Sequence, residues 1–338
     1  METTTLTPIS QPLSSYDENL EQCMIDGGIY PEFYSHHGRL VPKPRNFDQD
    51  VEILPIRRPS LSSETLTASM FETFRLRHRD SDARYPDERN LHMVEIIPII
   101  VGNAEDKKAT GTRFFNLDAM PAGHPIKVAP DFFDGAARDA VEKAVRVNLN
   151  HMIIPSKYST RVPMAPNFFL DVTPKEAKFR AAMRKTMLHG ALGARAMLAL
   201  QNYGVEEPIF DGKAYTYTAA YHPEVVTLQI FAHHVTPPTT PEGKPEYHMT
   251  ELGGWKMTRK IEDFVRGVTA FRNVRELAQR HRDEFIRAAN ERARRLSEDQ
   301  QLREKGDPSE MRERSEKQEP VEDQQPIAET TGVVVEGE

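Results

Sequence analysis

Apolar residues along this chain recur three and four apart in some stretches and two apart in others, and the two periods mark out helices and strands. Tyr16, Leu20, Cys23 and Met24 have helical spacing, so a short helix is expected over 16–26. Residues 27–58 carry Pro31, Pro42, Pro44 and Pro55 and read as an extended arm laid over the body. Leu66, Met70 and Phe74 recur four apart and predict a helix over 60–78. A further helix is expected over 88–101, its face marked by Leu91, Val94, Ile97 and Ile100 and interrupted by Pro98. Two short strands follow, over 112–120 and 125–133, with a turn at 121–124. Then come a helix over 135–150, a buried strand over 167–172, and an Ala, Leu and Met-rich helix over 176–203 that Gly204 stops. Strands over 213–222 and 225–233 flank a turn at Pro223-Glu224, and 236–245 is a proline-rich surface loop. The clearest pattern is the last: Ile261, Phe264, Val268, Phe271, Val274, Leu277 and Phe285 trace one stripe of a long amphipathic helix over 261–296.

This order of elements predicts one α/β domain over 60–296, preceded by a disordered 1–15 and an arm at 16–59, and followed by an acidic, disordered tail at 297–338. Composition agrees with a core carrying arms, since hydrophobic residues make up 38% of the 338 positions and there are 25 prolines. The net charge of −7 divides unevenly: the tail holds thirteen acids against five bases, which leaves the body near neutrality. A strongly basic nucleic-acid binder is therefore excluded, although a local positive groove is not. The single Cys23 excludes an internal disulfide framework and points to a reducing compartment inside the cell, nuclear or cytoplasmic. No apolar run is long enough for a membrane-spanning helix, and METTTLTPIS lacks the basic and apolar regions of a secretory signal.

Candidate chemistry gathers in two short segments, 128–135 and 166–173, where Asp131 and Asp171 stand beside aromatic strand sequence. On a strand Asp171 and Thr173 share a face, and an acid on a buried strand must be paired, hydrogen-bonded or metal-bound. Two such acids converging from neighbouring strands would suit magnesium, which takes carboxylates and water.

The segments Ala129-Pro-Asp-Phe-Phe-Asp-Gly-Ala136, Ala165-Pro-Asn-Phe-Phe-Leu170, Gly190-Ala-Leu-Gly-Ala-Arg195, Gln201-Asn-Tyr-Gly204 and 282–293, in this order, resemble a fungal protein family of unknown function with a PD-(D/E)XK, restriction-endonuclease-like nuclease core. The resemblance covers about four fifths of the chain. It implies a central mixed sheet flanked by helices, with Asp131 and Asp171 as the metal acids and a lysine two residues after the second acid. Here Asp171 replaces the usual Glu, Thr173 replaces the lysine, and His189 replaces an expected Asp. Either Lys175 or Lys185 supplies the missing cation and hydrolysis persists, or the centre has decayed and the fold serves as a protein-interaction or nucleic-acid-binding module. Coincident substitutions at both positions of the second half-motif favour decay.

Every other candidate has a plainer alternative. Glu95 stands where related nucleases place a further metal acid, and a solvated helix face explains it as well. Asp134 is either a third acid or a helix cap. Arg184, Arg266, Arg280 and Arg287 are candidate phosphate contacts or a solvated face. The pairs His36-His37 and His233-His234 read as surface or cap histidines. Gly190 and Gly193 fit close packing of a helix on the sheet rather than a phosphate loop, which would need a following Gly-Lys-Ser or Gly-Lys-Thr.

Overall fold

The computed structural model describes residues 17, 19–36, 39–56, 66–84, 91–102, 108–121, 126–173, 179–240 and 243–305. The expected disordered start at 1–15, the turn at 122–124, Lys175 and the tail past 305 lie outside the described residues. The chain divides into two units, Met1–Arg294 and Arg295–Glu338, and the architecture below is that of the first.

In chain order the helices are α1 (Leu20–Asp26), α2 (Phe47–Ile53), α3 (Ala68–Arg84), α4 (Ile97–Val101), α5 (Lys143–Asn148), α6 (Asn150–Ile153), α7 (Phe179–Gln201) and α8 (Ile261–Lys305). The strands are β1 (Ile29–Tyr30), β2 (Ser35–His36), β3 (Arg39–Leu40), β4 (Lys108–Thr110), β5 (Phe132–Ala136), β6 (Met164–Val172), β7 (Ala214–His222), β8 (Thr227–Thr236) and β9 (Glu246–Lys256). Seven of them form one sheet in the order β1-β9-β8-β7-β6-β5-β4, and β2 and β3 form a separate hairpin. Only β1/β9 and β6/β7 are parallel. The β6–β7 pair needs a crossover, and α7 provides it.

Alternation along β6 decides what each face of the sheet holds. Phe168, Leu170 and Val172 face a core shared with Phe74, Ile100, Phe264 and Phe271, which come from α3, α4 and α8. Phe169 faces the other way, into a core with Phe133, Phe231 and Met249 of the sheet and Leu188, Ala191 and Leu192 of α7. The sheet is thus covered on both faces, and all nine residues of β6 are buried.

Several expectations shift. The strands near the first aspartate are Lys108–Thr110 and Phe132–Ala136, not 112–120 and 125–133. Gly135 belongs to β5 rather than to a helix, because it sits where a Cβ would come 2.5 Å from the Met164 carbonyl oxygen. The expected helix over 88–101 contains a π-helical turn, His92–Ile96, before α4. That turn rotates the face, so Val94 is exposed and His92 is buried. Strand β9 has no counterpart in the pattern reading, although it pairs with β8 along its length.

Candidate functional site

Asp131 immediately precedes β5, and Asp171 is the penultimate residue of β6. The two strands are antiparallel neighbours, with Phe132 opposite Leu170, so the head of one lies beside the tail of the other. Both aspartates share the α7 face with Phe133 and Phe169. They are 5% and 2% exposed, and such carboxylates need partners.

Lys185 of α7 meets both. Its Nζ donates to Asp131 Oδ2 at 2.9 Å and lies 2.8 Å from Asp171 Oδ1. One turn further along the same helix, His189 Nδ1 donates to Asp171 Oδ2 at 2.8 Å, which requires the proton on Nδ1. The backbone N–H of Val172 donates to Asp131 Oδ2 at 2.9 Å, fixing the first carboxylate to the second strand. Burial by itself would raise the Asp171 carboxyl, but His189 and Lys185 more than offset it and hold the group well below the usual carboxylate range. Asp171 is therefore anionic and compensated from within the chain.

A second polar row begins two residues on. Gln229 Nε2 donates to Glu251 Oε2 at 3.2 Å, which turns its Oε1 toward His222 Nε2 at 3.0 Å. His222 must then carry its proton on Nε2, and its bare Nδ1 accepts from the Thr173 hydroxyl at 2.8 Å. The Glu251 N–H donates to Glu32 Oε1 at 2.9 Å. Burial pushes the carboxyls of Glu32 and Glu251 up and His222 down. Thr173, in the place of the lysine that the resemblance implies, is thus tied into a chain crossing β6, β7, β8 and β9. None of this row except Thr173 stands out in the sequence, because its members come from three strands and two connecting segments.

The arrangement does not fit an octahedral magnesium ion. Magnesium needs carboxylate oxygens that open onto water, whereas an ammonium stands between these two buried carboxylates, with Asp131 Oδ2 held by Lys185 and the Val172 N–H and the Asp171 oxygens facing Lys185 and His189. Among the described residues no group of three or more His, Cys, Asp or Glu is placed to hold a metal.

The other candidates scatter. Glu95 lies in the π-helical turn, whose Ile96 packs into the core on the α8 face, so it is not brought to the aspartates. Asp134 points to that same face and pairs with the buried Arg275 through both carboxylate oxygens, Arg275 Nη2 donating to Oδ1 at 2.9 Å. It neither caps a helix nor joins Asp131. Arg184 is 7% exposed and lies 3.6 Å from Glu21, so it is not open to a phosphate. Arg266, Arg280 and Arg287 are exposed on α8, which packs on the opposite face of the sheet from the aspartates, and Arg287 pairs with Glu291 at 3.2 Å.

Nor is α8 a basic stripe. Arg275 faces Asp134, Arg282 donates to Asn167 Oδ1 at 2.9 Å, Arg272 donates to the Ile99 and Ile100 carbonyls, and Arg292 donates to the Gln201 carbonyl. His233 and His234 are buried, not surface residues. His233 accepts from or donates to Thr218 Oγ1 at 2.8 Å, while His234 stacks on His248 with ring centroids 4.8 Å apart. Gly190 lies against the His233 ring and Gly193 against Thr216 and Phe169, which is the close helix–sheet approach expected of them.

These observations define an α/β protein with a seven-stranded mixed sheet, helices on both faces and a long C-terminal helix. No family model, curated protein or solved structure matches the chain. No helix among the described residues is long and apolar enough to cross a membrane.

Proposed function

We propose that the chain is a restriction-endonuclease-like protein whose phosphodiesterase centre is closed by its own lysine, so that the fold serves as a non-hydrolytic interaction module. The topology supports the lineage: β4, β5 and β6 form an antiparallel meander, α7 crosses over, and β7 lies parallel to β6. The two acids fall at the head of β5 and the tail of β6 on one face, where the PD-(D/E)XK pattern would put them. The observation that carries the closed reading is the Lys185 ammonium, within 2.9 Å of both carboxylates. It occupies the space between the two acids and offsets one of the negative charges that would attract a divalent cation. Protein rather than nucleic acid is the favoured partner class, because the exposed candidates Arg266, Arg280 and Arg287 lie across the sheet from the aspartates.

The same lysine supports a second reading, in which it is the migrated motif lysine and turns toward a scissile phosphate once metal enters. The two readings separate when the full chain is incubated with labelled DNA and RNA in magnesium or manganese, with its melting temperature followed in parallel. The closed centre gives no cleavage and no metal-dependent stabilisation. Metal-dependent cleavage that disappears in Asp131→Ala overturns it in favour of the second.

A further inference from the structure

The N-terminal arm is held to the body by buried polar groups rather than by apolar contact alone. At its start the Arg45 N–H donates to the Gly212 carbonyl at 2.9 Å. Next to it, the Asn46 amide pairs with the backbone of Ala214, donating to its carbonyl at 3.0 Å and accepting from its N–H at 2.8 Å. At its end Asn273 Nδ2 of α8 donates to the carbonyls of Ile53, Leu54 and Ile56. Between these clamps Phe47, Val51 and Leu54 pack into the core under α8. Asp50, 3% exposed, sits in the middle.

The partners of Asp50 are neutral. Asn46 Nδ2 lies 3.1 Å from both of its oxygens, and Tyr217 Oη lies 2.9 Å from Oδ2. Tyr217 Oη is also 3.2 Å from the Ala214 carbonyl. A protonated Asp50 can therefore donate to Tyr217, whose own hydroxyl donates to the Ala214 carbonyl, and every group is satisfied. Among the described residues an ionised Asp50 meets no cation there. The other titratable groups around it are Tyr215 and Tyr217 of β7, and His281 of α8, whose ring stacks on the Tyr217 ring at 6.4 Å. Burial, with Arg280 and Lys213 adding to it, holds that histidine neutral, lowered to about 4. On α2 itself, Asp48 is exposed.

We propose that residues 44–56 form a proton-gated strap, latched across β7 while the Asp50 carboxyl is neutral and loosened when that carboxyl ionises. Burial raises Asp50 from 3.8 to about 7, against the lowering effect of its bonds to Tyr217 and Asn46. A carboxyl raised in the latched state gives full tightness below its ordinary value and loses it as pH rises toward the latched value. Opening of the strap should thus increase about tenfold per pH unit from roughly 4 to 7 and level off above.

Hydrogen–deuterium exchange on the full chain between pH 5 and 8, corrected for intrinsic rates, reads this directly over 47–54. The expected result is protection that falls about a hundredfold from pH 5 to 7 in the wild type and stays constant in Asp50→Asn, the isostere of the neutral acid. Equal protection across the range in the wild type overturns the latch. Should the variant not fold, the carboxyl carbons of aspartate-labelled wild type are titrated by NMR: one midpoint near 7, absent from every exposed aspartate, supports the proposal, and midpoints confined to the ordinary carboxylate range overturn it.

Discussion

At the scale of single residues, Lys185 decides what the aspartates can do. Removing one partner of a buried ionic cluster leaves an uncompensated charge, which costs about 3–5 kcal/mol. Lys185→Met should therefore lower the unfolding free energy by roughly that amount in urea titrations, and combining it with Asp131→Asn and Asp171→Asn should restore most of the loss. A single-variant loss below about 1 kcal/mol would mean that the pair is solvated and behaves like a surface bridge. The sign of the pH effect follows from the lowered Asp171 carboxyl: its stabilisation is present above the ordinary carboxylate value and is lost progressively as pH falls from there toward the lowered folded value. Much of this centre was legible in the sequence. The acids announced themselves as charges on apolar strands, and Lys185 was one of two candidate cations. What periodicity could not supply was the reach of one ammonium to both acids. That depends on the pairing of β5 with β6 and on the seating of α7 over them. His189 was visible as a departure from the pattern, and its four-residue spacing from Lys185 places the two on one helix face.

At the scale of elements, α7 lies close enough to the sheet that two of its positions admit no side chain. A Cβ on Gly190 would come 2.0 Å from the His233 ring, and one on Gly193 would come 2.6 Å from Thr216 Cγ2. Overpacking of this kind costs about 1–3 kcal/mol, so Gly190→Ala should lose stability although alanine is the better helix former. A melting temperature equal to or above that of the wild type would show that α7 moves away freely and that its approach does not hold Lys185 in place. The helices were readable because their stripes are long, and α8 above all. The partners of the buried arginines on α8 were not legible for a physical reason: Arg275 and Arg282 are seven residues apart and share a face, and that face meets Asp134 and Asn167, more than a hundred residues away in sequence. Strand β9 escaped notice because its apolar–polar alternation, Tyr247-His248-Met249-Thr250, lasts only four residues before Glu251 breaks it and Gly253-Gly254 reads as a turn, whereas His248 and Thr250 are buried within the sheet. The π-helical turn at His92–Ile96 likewise leaves no mark on a 3.6-residue pattern except a face that fails to continue.

At the scale of the whole molecule, the described body holds several buried histidines and the Asp50 carboxyl in uncharged form, and these groups shape how it responds to acid. Burial lowers His233, His234 and His248 to about 3, 4 and 3, with neighbouring histidines adding to the effect on the first and the last. An unfolded chain takes up a proton on each of these below pH 6.5, whereas the folded chain takes up none until near 4. Stability contributed by these groups is thus full above 6.5 and falls as pH drops. Asp50 acts in the opposite sense, since the folded chain keeps a proton there that the unfolded chain releases. With His281, lowered to about 4, four histidine protons favour the unfolded state against the one at Asp50 that favours the folded, which leaves three, so the unfolding free energy should climb by about 3 to 4 kcal/mol per pH unit between roughly 4.5 and 6. Urea titrations across that range would measure the slope. Asp50→Asn should steepen it by about one proton and His248→Phe should flatten it by as much, and a flat profile in the wild type would mean that the buried rings already hold their protons at neutral pH.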